Sequence, residues 1–314
     1  MRNHAHLFLA CIVMLFLLLV PFLFPSEFST HLSILILIWA ILCLSLNIIF
    51  GYAGQLSIAH GALFGAGAYI HSVLVMNTGM NFWMALLLTS CLVAFLSILV
   101  GMPSLRLRGP FFVIITLGFS VIFVSVIKNL GEITGGVVGL MGIPLLSELN
   151  IMGMSLESKT SVYYFVLACM ILIALITYRI KHSSFGKGLI ALSEDEDLCK
   201  SVGMNTMLFK TKAFVLSSVI ASFAGILYAS YLGVITPNDA SYHQSFDALV
   251  YLTVGGVGTL FGSIIGPALM LLISEALQGY GEFRPFINGI ALILLIIFLP
   301  KGIAGVVSRF IKVI

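Results

Sequence analysis

The chain has 314 residues, of which 60% are hydrophobic and only 9% are charged, and its mean hydropathy is +1.16. Soluble domains carry roughly 25% charged residues, so the composition excludes an ordinary soluble protein and predicts a polytopic membrane protein. The net charge of +3 is too small and too dispersed to indicate a nucleic-acid partner. Long apolar runs without strand-like alternation predict an all-α fold, because each helix satisfies its own backbone groups inside a bilayer.

Ten apolar segments are predicted to cross the membrane. The first, Leu7–Phe24, exceeds the apolar core of a signal peptide and lacks a small-x-small cleavage site, so we expect a retained span. The other predicted spans are Leu32–Phe50, Leu56–Val75, Phe82–Met102, Gly109–Val126, Tyr163–Ile180, Ala213–Val234, two short spans within Ala248–Leu277, and Phe286–Leu299. Five glycines and Pro267 interrupt the stretch Ala248–Leu277. Eight full crossings plus a re-entrant hairpin are therefore the alternative.

The basic residues predict the orientation of these spans, because lysine and arginine concentrate in cytoplasmic loops. The residues expected to be cytoplasmic are Arg2, Arg106, Arg108, the six basic residues from Arg179 to Lys212, Lys301, Arg309 and Lys312. Both termini are then cytoplasmic, as an even number of crossings requires. The chain is thus predicted to be a single transmembrane domain over residues 1–314, with an external loop at 128–161 and a cytoplasmic loop at 181–212.

One long polar segment, residues 179–212, holds 10 of the 27 charged residues. Ser193 followed three residues later by Glu196 has the spacing of a capping box. A short helix from about 194 to 202 is therefore predicted, with acidic residues in its first turn and a basic residue and glycine at its end. These residues are Glu194, Asp195, Lys200 and Gly203.

Apolar residues in the same segment suggest that this helix contacts something. Leu189, Leu192, Cys199 and Val202 fall on one side of a continuous helix, and Leu198 lies four residues before Val202. Neighbours at that spacing form a strip that needs cover. A simple linker between two spans would not need such a strip, so contact with another protein is expected.

The segment Gly51–Tyr69 combines five glycines with three polar side chains at membrane depth. Small residues let helix backbones approach closely, and polar groups in a bilayer must face protein or water. One interpretation is tight helix packing. The other is a translocation path in which Gln55 or His60 lines a water-filled cavity. The candidate path residues are Gly54, Gln55, Ser57, His60 and Gly61.

Several other kinds of site are not supported by the sequence. Gly255-Gly-Val-Gly lies in a membrane segment with no strand before it, and Gly186-Lys187-Gly188 lacks P-loop spacing, so no nucleotide site is expected in this chain. The five cysteines are scattered without a CxxC pair or metal-like histidine spacing. The spans lack the central carboxylate typical of ion-coupled carriers. Ser57 and His60 have no orienting carboxylate, so an enzyme is not expected.

Three stretches of the sequence resemble one protein family. The family is that of the branched-chain amino acid ABC transporter permeases of the LivM type. Its signature resembles Gly51–Tyr69, its external-loop motif resembles Thr134–Pro144, and its ATPase-coupling loop resembles Phe185–Asn205, in the same order and spacing. The likeness runs from about residue 40 to residue 300. It departs at Leu198-Cys199, where the family tends to have two alanines, and at Ser193, where a basic residue is common.

The resemblance implies a permease subunit of an ABC importer in the bacterial inner membrane, taking up branched-chain or similar small neutral amino acids. Its implied partners are a second related permease forming a heterodimer, two cytoplasmic ATPase subunits that use the ATP, and an external substrate-binding protein. The chain itself would bind no cofactor. The resemblance assigns docking of the binding protein to Thr134, Gly135 and Gly136, and ATPase coupling to Gly186, Ser193, Glu194, Glu196 and Gly203.

Three alternatives to this reading stay open. The first is a urea or short-amide importer of the same superfamily, and the second is an ion-coupled carrier or channel that acts alone. The third concerns assembly only, since a homodimer of this chain could replace the heterodimer.

Overall fold

The computed structural model describes residues 17–24, 26–107, 109–148, 150–151, 154–277, 289 and 302–305. The helices that we number are α1 at residues 17–23, α2 Glu27–Leu46, α3 His60–Thr78, α4 Phe82–Ser104, α5 Pro110–Asn129, α6 Gly131–Thr134, α7 Lys159–His182, α8 Ser184–Glu194, α9 Glu196–Ser201, α10 Thr206–Leu232, α11 Tyr242–Gly255 and α12 Leu260–Ala276. A π-helical segment, Asn47–Tyr52, continues α2. The strands are β1 Leu140–Met141, β2 Asn150–Ile151, β3 Met154–Ser155 and β4 Val234–Ile235, paired antiparallel as β1 with β4 and β2 with β3.

Five helices in the described part of the chain are long and apolar enough to cross a membrane, namely Glu27–Tyr52, α4, α5, α7 and α10. They confirm the prediction of an all-α polytopic membrane protein. Two predicted spans lie partly or mostly outside the described residues. They are Leu7–Phe24, of which the first ten residues are not described, and Phe286–Leu299, of which only residue 289 is described. The same holds for Arg2, Arg108, Lys301, Arg309 and Lys312, so the complete orientation pattern stays a prediction.

The stretch predicted to contain two short spans forms α11 and α12, which meet at an angle of 114°. They contain 14 and 17 residues, so they extend about 21 and 26 Å at 1.5 Å per residue. Each is shorter than the hydrocarbon core of roughly 30 Å. The prediction of two short spans here is therefore not confirmed, because the bent pair has the form of one broken span or a re-entrant loop.

Helix α3 is closely enclosed by its neighbours, with every residue from His60 to Tyr69 buried. Its glycines touch neighbouring backbones directly. A Cβ on Gly67 would overlap the Ser222 carbonyl of α10, and a Cβ on Gly225 of α10 would overlap the Phe64 carbonyl of α3. Such contacts are the usual role of small residues between membrane helices. They confirm the packing interpretation for the glycines of this region.

Helices α4 and α5 have the opposite character, because most of their apolar side chains are exposed. Leu87 and Phe95 of α4 and Ile114 and Ile122 of α5 belong to this set. In a membrane protein, such faces contact lipid or another membrane subunit. The core therefore lies around α3 and α10, and α4 and α5 form an outer side of the bundle.

Candidate functional site

The chain leaves regular helical geometry between α2 and α3. Asn47–Tyr52 is π-helical, and residues 53–59 form an irregular segment before α3 begins at His60. π-Helical turns are frequent at functional sites. Irregular backbone at membrane depth is tolerated only where the protein or a water-filled cavity satisfies it. This break is therefore a natural place to look for a translocation path.

Hydroxyl groups from two neighbouring helices satisfy the backbone of the irregular segment. Ile58 N–H donates to Thr116 Oγ1 of α5 at 3.2 Å. The Ile58 carbonyl accepts from Ser120 Oγ of α5 at 2.8 Å and from Ser245 Oγ of α11 at 2.6 Å. Gly61 N–H donates to the same Ser245 Oγ at 2.6 Å. Residues separated widely along the chain thus hold the break in one conformation.

The five candidate path residues divide into an accessible pair and a buried group. Gly54 is exposed and Gln55 is partly exposed, whereas Ser57, His60 and Gly61 are buried. The His60 ring has Nδ1 3.3 Å from Ser57 Oγ. Its Nε2 is buried and has no hydrogen-bond partner among the described residues. In this conformation the Gln55 side chain is partly accessible and the His60 side chain is buried, and the assignment of both to a translocation path stays a prediction.

This division predicts the reactivity of two cysteine variants. In a background without the five native cysteines, Gln55→Cys should react with a small polar thiol reagent, because its position is partly exposed. His60→Cys should stay unmodified in the resting complex, because its position is enclosed by protein. Labelling time courses followed by mass spectrometry measure both rates. Rapid labelling of His60→Cys at rest would contradict the burial described here.

The irregular segment also touches the long polar segment of the sequence. Gly54 has φ +66°, and a Cβ placed on it would lie 2.9 Å from the Cβ of Ser193 at the end of α8. A larger residue would therefore be strained by the backbone conformation and crowded by Ser193. The structure thus brings together two groups of residues that the sequence analysis had assigned to separate roles, path and ATPase coupling.

A polar cluster beside this contact was missed by the sequence analysis. Lys181 Nζ donates to the Gly258 carbonyl at 2.7 Å and lies 5.4 Å from the centre of the Tyr52 ring. Asn47 Oδ1 accepts from Gly258 N–H at 2.8 Å, and its Nδ2 donates to the Thr259 carbonyl at 3.1 Å. The cluster joins the π-helical segment, the end of α7 and the turn between α11 and α12. A lone asparagine inside an apolar span was the one signal that could have indicated it.

The Gly255-Gly-Val-Gly stretch packs α11 closely against α12. A Cβ on Gly255 would overlap the Gly262 carbonyl of α12. Gly256 and Gly258 have φ values of +119° and +77°, and they form the sharp turn between α11 and α12. Glycine is favoured there because other residues rarely adopt positive φ.

The polar segment contains a short helix close to the predicted position, but its start was predicted wrongly. α8 continues through Ser193 to Glu194, and the Ser193 hydroxyl donates to the Ile190 carbonyl at 2.7 Å. Asp195 is the N-cap of α9, since its Oδ1 accepts from the N–H groups of Asp197 and Leu198 at 3.0 and 2.9 Å. Ser193 and Glu196 therefore form no capping box, and Glu194 ends the preceding helix instead of starting this one.

The predicted end of the short helix is confirmed. Gly203 has φ +82°, and its N–H donates to the Lys200 carbonyl at 3.0 Å. Met204 N–H donates to the Cys199 carbonyl at 3.0 Å. This pair of bonds is the Schellman arrangement, in which a left-handed glycine closes a helix.

The predicted apolar strip is divided between the inside and the outside of the chain. Leu189, Leu192 and Cys199 are buried against this chain's own helices. Leu198 and Val202 are 63% and 75% exposed, which makes them the apolar residues still available for a partner. Gly186 is buried in the first turn of α8, where a Cβ would overlap the Ile180 carbonyl, so its observed role is the tight turn between α7 and α8.

The observed cap can be tested with a matched pair of variants. Asp195→Ala should destabilise α9 by about 1 kcal/mol, because two N–H groups lose their acceptor. Ser193→Ala should have little effect, because that hydroxyl caps nothing. Hydrogen exchange of the α9 amides in the purified protein would measure both effects. Equal protection in the two variants would show that Asp195 is not the cap.

The external-loop candidates form a tight turn at the end of α6. Thr134 Oγ1 donates to the Ile127 carbonyl at 2.6 Å. Gly135 and Gly136 have φ values of +71° and +61°, and a Cβ on Gly135 would overlap the Gly139 carbonyl. Both glycines therefore have backbone conformations that larger residues rarely adopt. Their predicted role in docking stays a prediction.

Comparison with known proteins gives consistent results. A family model described as branched-chain amino acid transport system / permease component matches residues 29–299. The high-affinity branched-chain amino acid transport system permease protein LivM of Salmonella typhimurium is 30% identical over 303 residues, covering 90% of this chain and 71% of that protein. The high-affinity branched-chain amino acid transport system permease protein LivH of the same organism is 23% identical over 287 residues, covering 85% of this chain and 91% of that protein.

Among solved structures, PsaBC from Streptococcus pneumoniae in complex with Fab aligns over 92% of this chain and 95% of that chain. The sequence identity is 14% and the TM-score is 0.47, a similarity too low to establish a shared fold.

Proposed function

The chain belongs to the family of branched-chain amino acid transport system permease components, and from this premise we propose that it is the transmembrane permease subunit of an ABC importer for branched-chain amino acids. Separate subunits hydrolyse the ATP, and this chain supplies part of the path through the bacterial inner membrane. The observation that carries the proposal is α9, a capped helix in a polar loop that presents the exposed apolar pair Leu198 and Val202. A permease driven from outside its own chain needs such a contact surface.

We place the partner subunits by combining this helix with the charge pattern of the loops. Two cytoplasmic ATPase subunits serve the importer, and one of them receives α9 within the loop at residues 181–212 of this chain. The external binding protein docks on the loop at 128–161, near Thr134, Gly135 and Gly136. Both termini are cytoplasmic, as the basic residues favour. The whole chain acts as one transmembrane domain, with an even number of crossings.

The second permease is a related chain, so the importer contains a heterodimer. This chain is similar to both LivM and LivH of Salmonella typhimurium, two permease proteins of one transport system. That similarity favours a related partner over a second copy of the same chain. The substrate passes beside the irregular segment 53–59, where Gly54 and Gln55 are accessible.

Uptake by reconstituted vesicles tests the proposal. Vesicles that contain both permeases, the ATPase subunits and the binding protein should accumulate labelled leucine only when ATP is supplied to the ATPase side. Urea should not compete for this uptake. Competition by urea would support the short-amide alternative. Uptake that follows an ion gradient through the permeases alone would support a carrier and overturn the proposal.

A further inference from the structure

Lys210 occupies an unusual position for a charged side chain. Among the described residues it is the only lysine, arginine, aspartate or glutamate that is buried, at 1% exposure. Its Nζ lies 2.6 Å from Oε2 of Glu196, fourteen residues earlier in the chain. Buried charges of this kind are normally paired, because an unpaired charge is strongly disfavoured inside a protein. The pair therefore joins two elements firmly.

The two elements are the short helix α9 and the long helix α10. Glu196 is the first residue of α9, and Lys210 lies in the second turn of α10. Thr206 Oγ1, also in α10, lies 3.4 Å from the other carboxylate oxygen of Glu196. Leu198 and Val202 of the same helix region are exposed on the outside. α9 thus has one side held to α10 and another open to a partner.

Contacts continue from Lys210 towards the irregular segment. Phe214 lies four residues after Lys210 and therefore on the same face of α10. Its ring, which is fully buried, meets the His60 ring edge-on with centroids 6.2 Å apart. His60 begins α3 directly after residues 53–59. The ion pair, Phe214 and His60 thus lie in succession between α9 and the irregular segment.

We propose that the Glu196–Lys210 ion pair is the connection through which movement of the docked helix α9 is transmitted to α10 and on to the segment 53–59. This inference rests on the proposed function. Glu196 and Lys210 act as positioning residues, since neither is expected to touch substrate or nucleotide. An apolar pair of similar volume is often as stable as a buried ion pair. What the ion pair adds is resistance to separation, because pulling α9 away from α10 would leave a buried charge without a partner.

The test compares Lys210→Met with Lys200→Met. Each substitution removes one lysine that pairs with the Glu196 carboxylate. Lys200 Nζ lies 3.0 Å from Glu196 Oε1 but is largely exposed, so Lys200→Met is the matched control. For Lys210→Met in the complete importer, leucine imported per ATP hydrolysed should fall about tenfold. For the control it should change by less than about twofold, because exposed pairs contribute little. Complex assembly and basal ATP hydrolysis are measured in parallel.

Two double variants separate transmission from a purely structural role. Glu196→Met with Lys210→Met leaves no unpaired buried charge, so it should assemble normally yet stay uncoupled. The charge swap, Glu196→Lys with Lys210→Glu, should recover at least part of the coupling lost in Lys210→Met. Normal coupling in the double methionine variant would overturn the inference. Failure of the unaltered complex to import leucine with ATP would instead contradict the proposed function.

Discussion

Replacing Leu198 and Val202 together with aspartate is expected to lower ATP-driven leucine uptake by about a hundredfold. Both side chains are exposed and apolar, Leu198 within α9 and Val202 at its C-cap, and we place this helix against the ATPase. Burying even a neutral polar group without a partner costs roughly 1–3 kcal/mol by mutational measurements, and burying an ionised carboxylate costs more. Two such residues are therefore enough to separate the subunits. Uptake in vesicles and co-purification of the ATPase would measure the loss.

Leu208→Asp is the matched control for this prediction. Leu208 is 47% exposed and lies only a few residues further along, in the first turn of α10. The substitution Leu208→Asp introduces a negative charge outside α9, so ATP-driven leucine uptake should stay near that of the unaltered complex. If the double aspartate variant imports leucine normally, the polar loop is a linker and the proposed ATPase contact is wrong. If Leu208→Asp is equally damaging, the contact surface is not confined to α9.

Gly225→Leu is expected to prevent formation of the folded membrane domain. A Cβ at this position would overlap the Phe64 carbonyl of α3, and a backbone group cannot move aside as a side chain can. Overpacking of a well-packed core typically costs about 1–3 kcal/mol, and separation of α3 from α10 would add the loss of their other contacts. We therefore expect little monodisperse protein after detergent extraction. Size-exclusion chromatography with fluorescence detection would measure this.

Gly118→Leu provides the control on another helix. Gly118 lies in α5, and a Cβ placed there would have no atom within 4 Å among the described residues. The same substitution should leave the yield of folded protein almost unchanged. A normal yield for Gly225→Leu would show that α3 and α10 can separate without loss of the fold. Loss of yield for Gly118→Leu would place a partner subunit against that face of α5.

Some features of this protein follow from the sequence because they depend on local chemistry. Composition alone predicted an all-α membrane protein, since apolar runs must satisfy their own backbone groups in lipid. Tight helix packing was one interpretation of the glycines in Gly51–Tyr69, and Gly67 makes such a contact with α10. Gly203 was predicted to end a helix and does so with positive φ. In each case the residue type permits only a small number of conformations or environments.

The cap of α9 is a feature that the local sequence pattern did not predict correctly. The sequence pattern predicted that Ser193 caps this helix, whereas Asp195 caps it in the structure. In the structure, burial of Leu189 and Leu192 accompanies the continuation of α8 past Ser193. Lys210, from a different helix, pairs with the Glu196 carboxylate. The start of α9 therefore depends on contacts with other parts of the chain, and a local sequence pattern contains no information about them.

The sequence by itself therefore determined the class of fold, the approximate positions of most described helices and the family resemblance. Only the tertiary structure decided that α11 and α12 meet at an angle of 114°. It also decided that His60 is enclosed while Gln55 is partly exposed, and that Asn47 and Lys181 both bind Gly258. The physical reason is that the exposure and the hydrogen-bond partners of a side chain depend on which helices pack together. Helices distant in sequence pack through contacts that leave no periodic signal in the sequence of either helix.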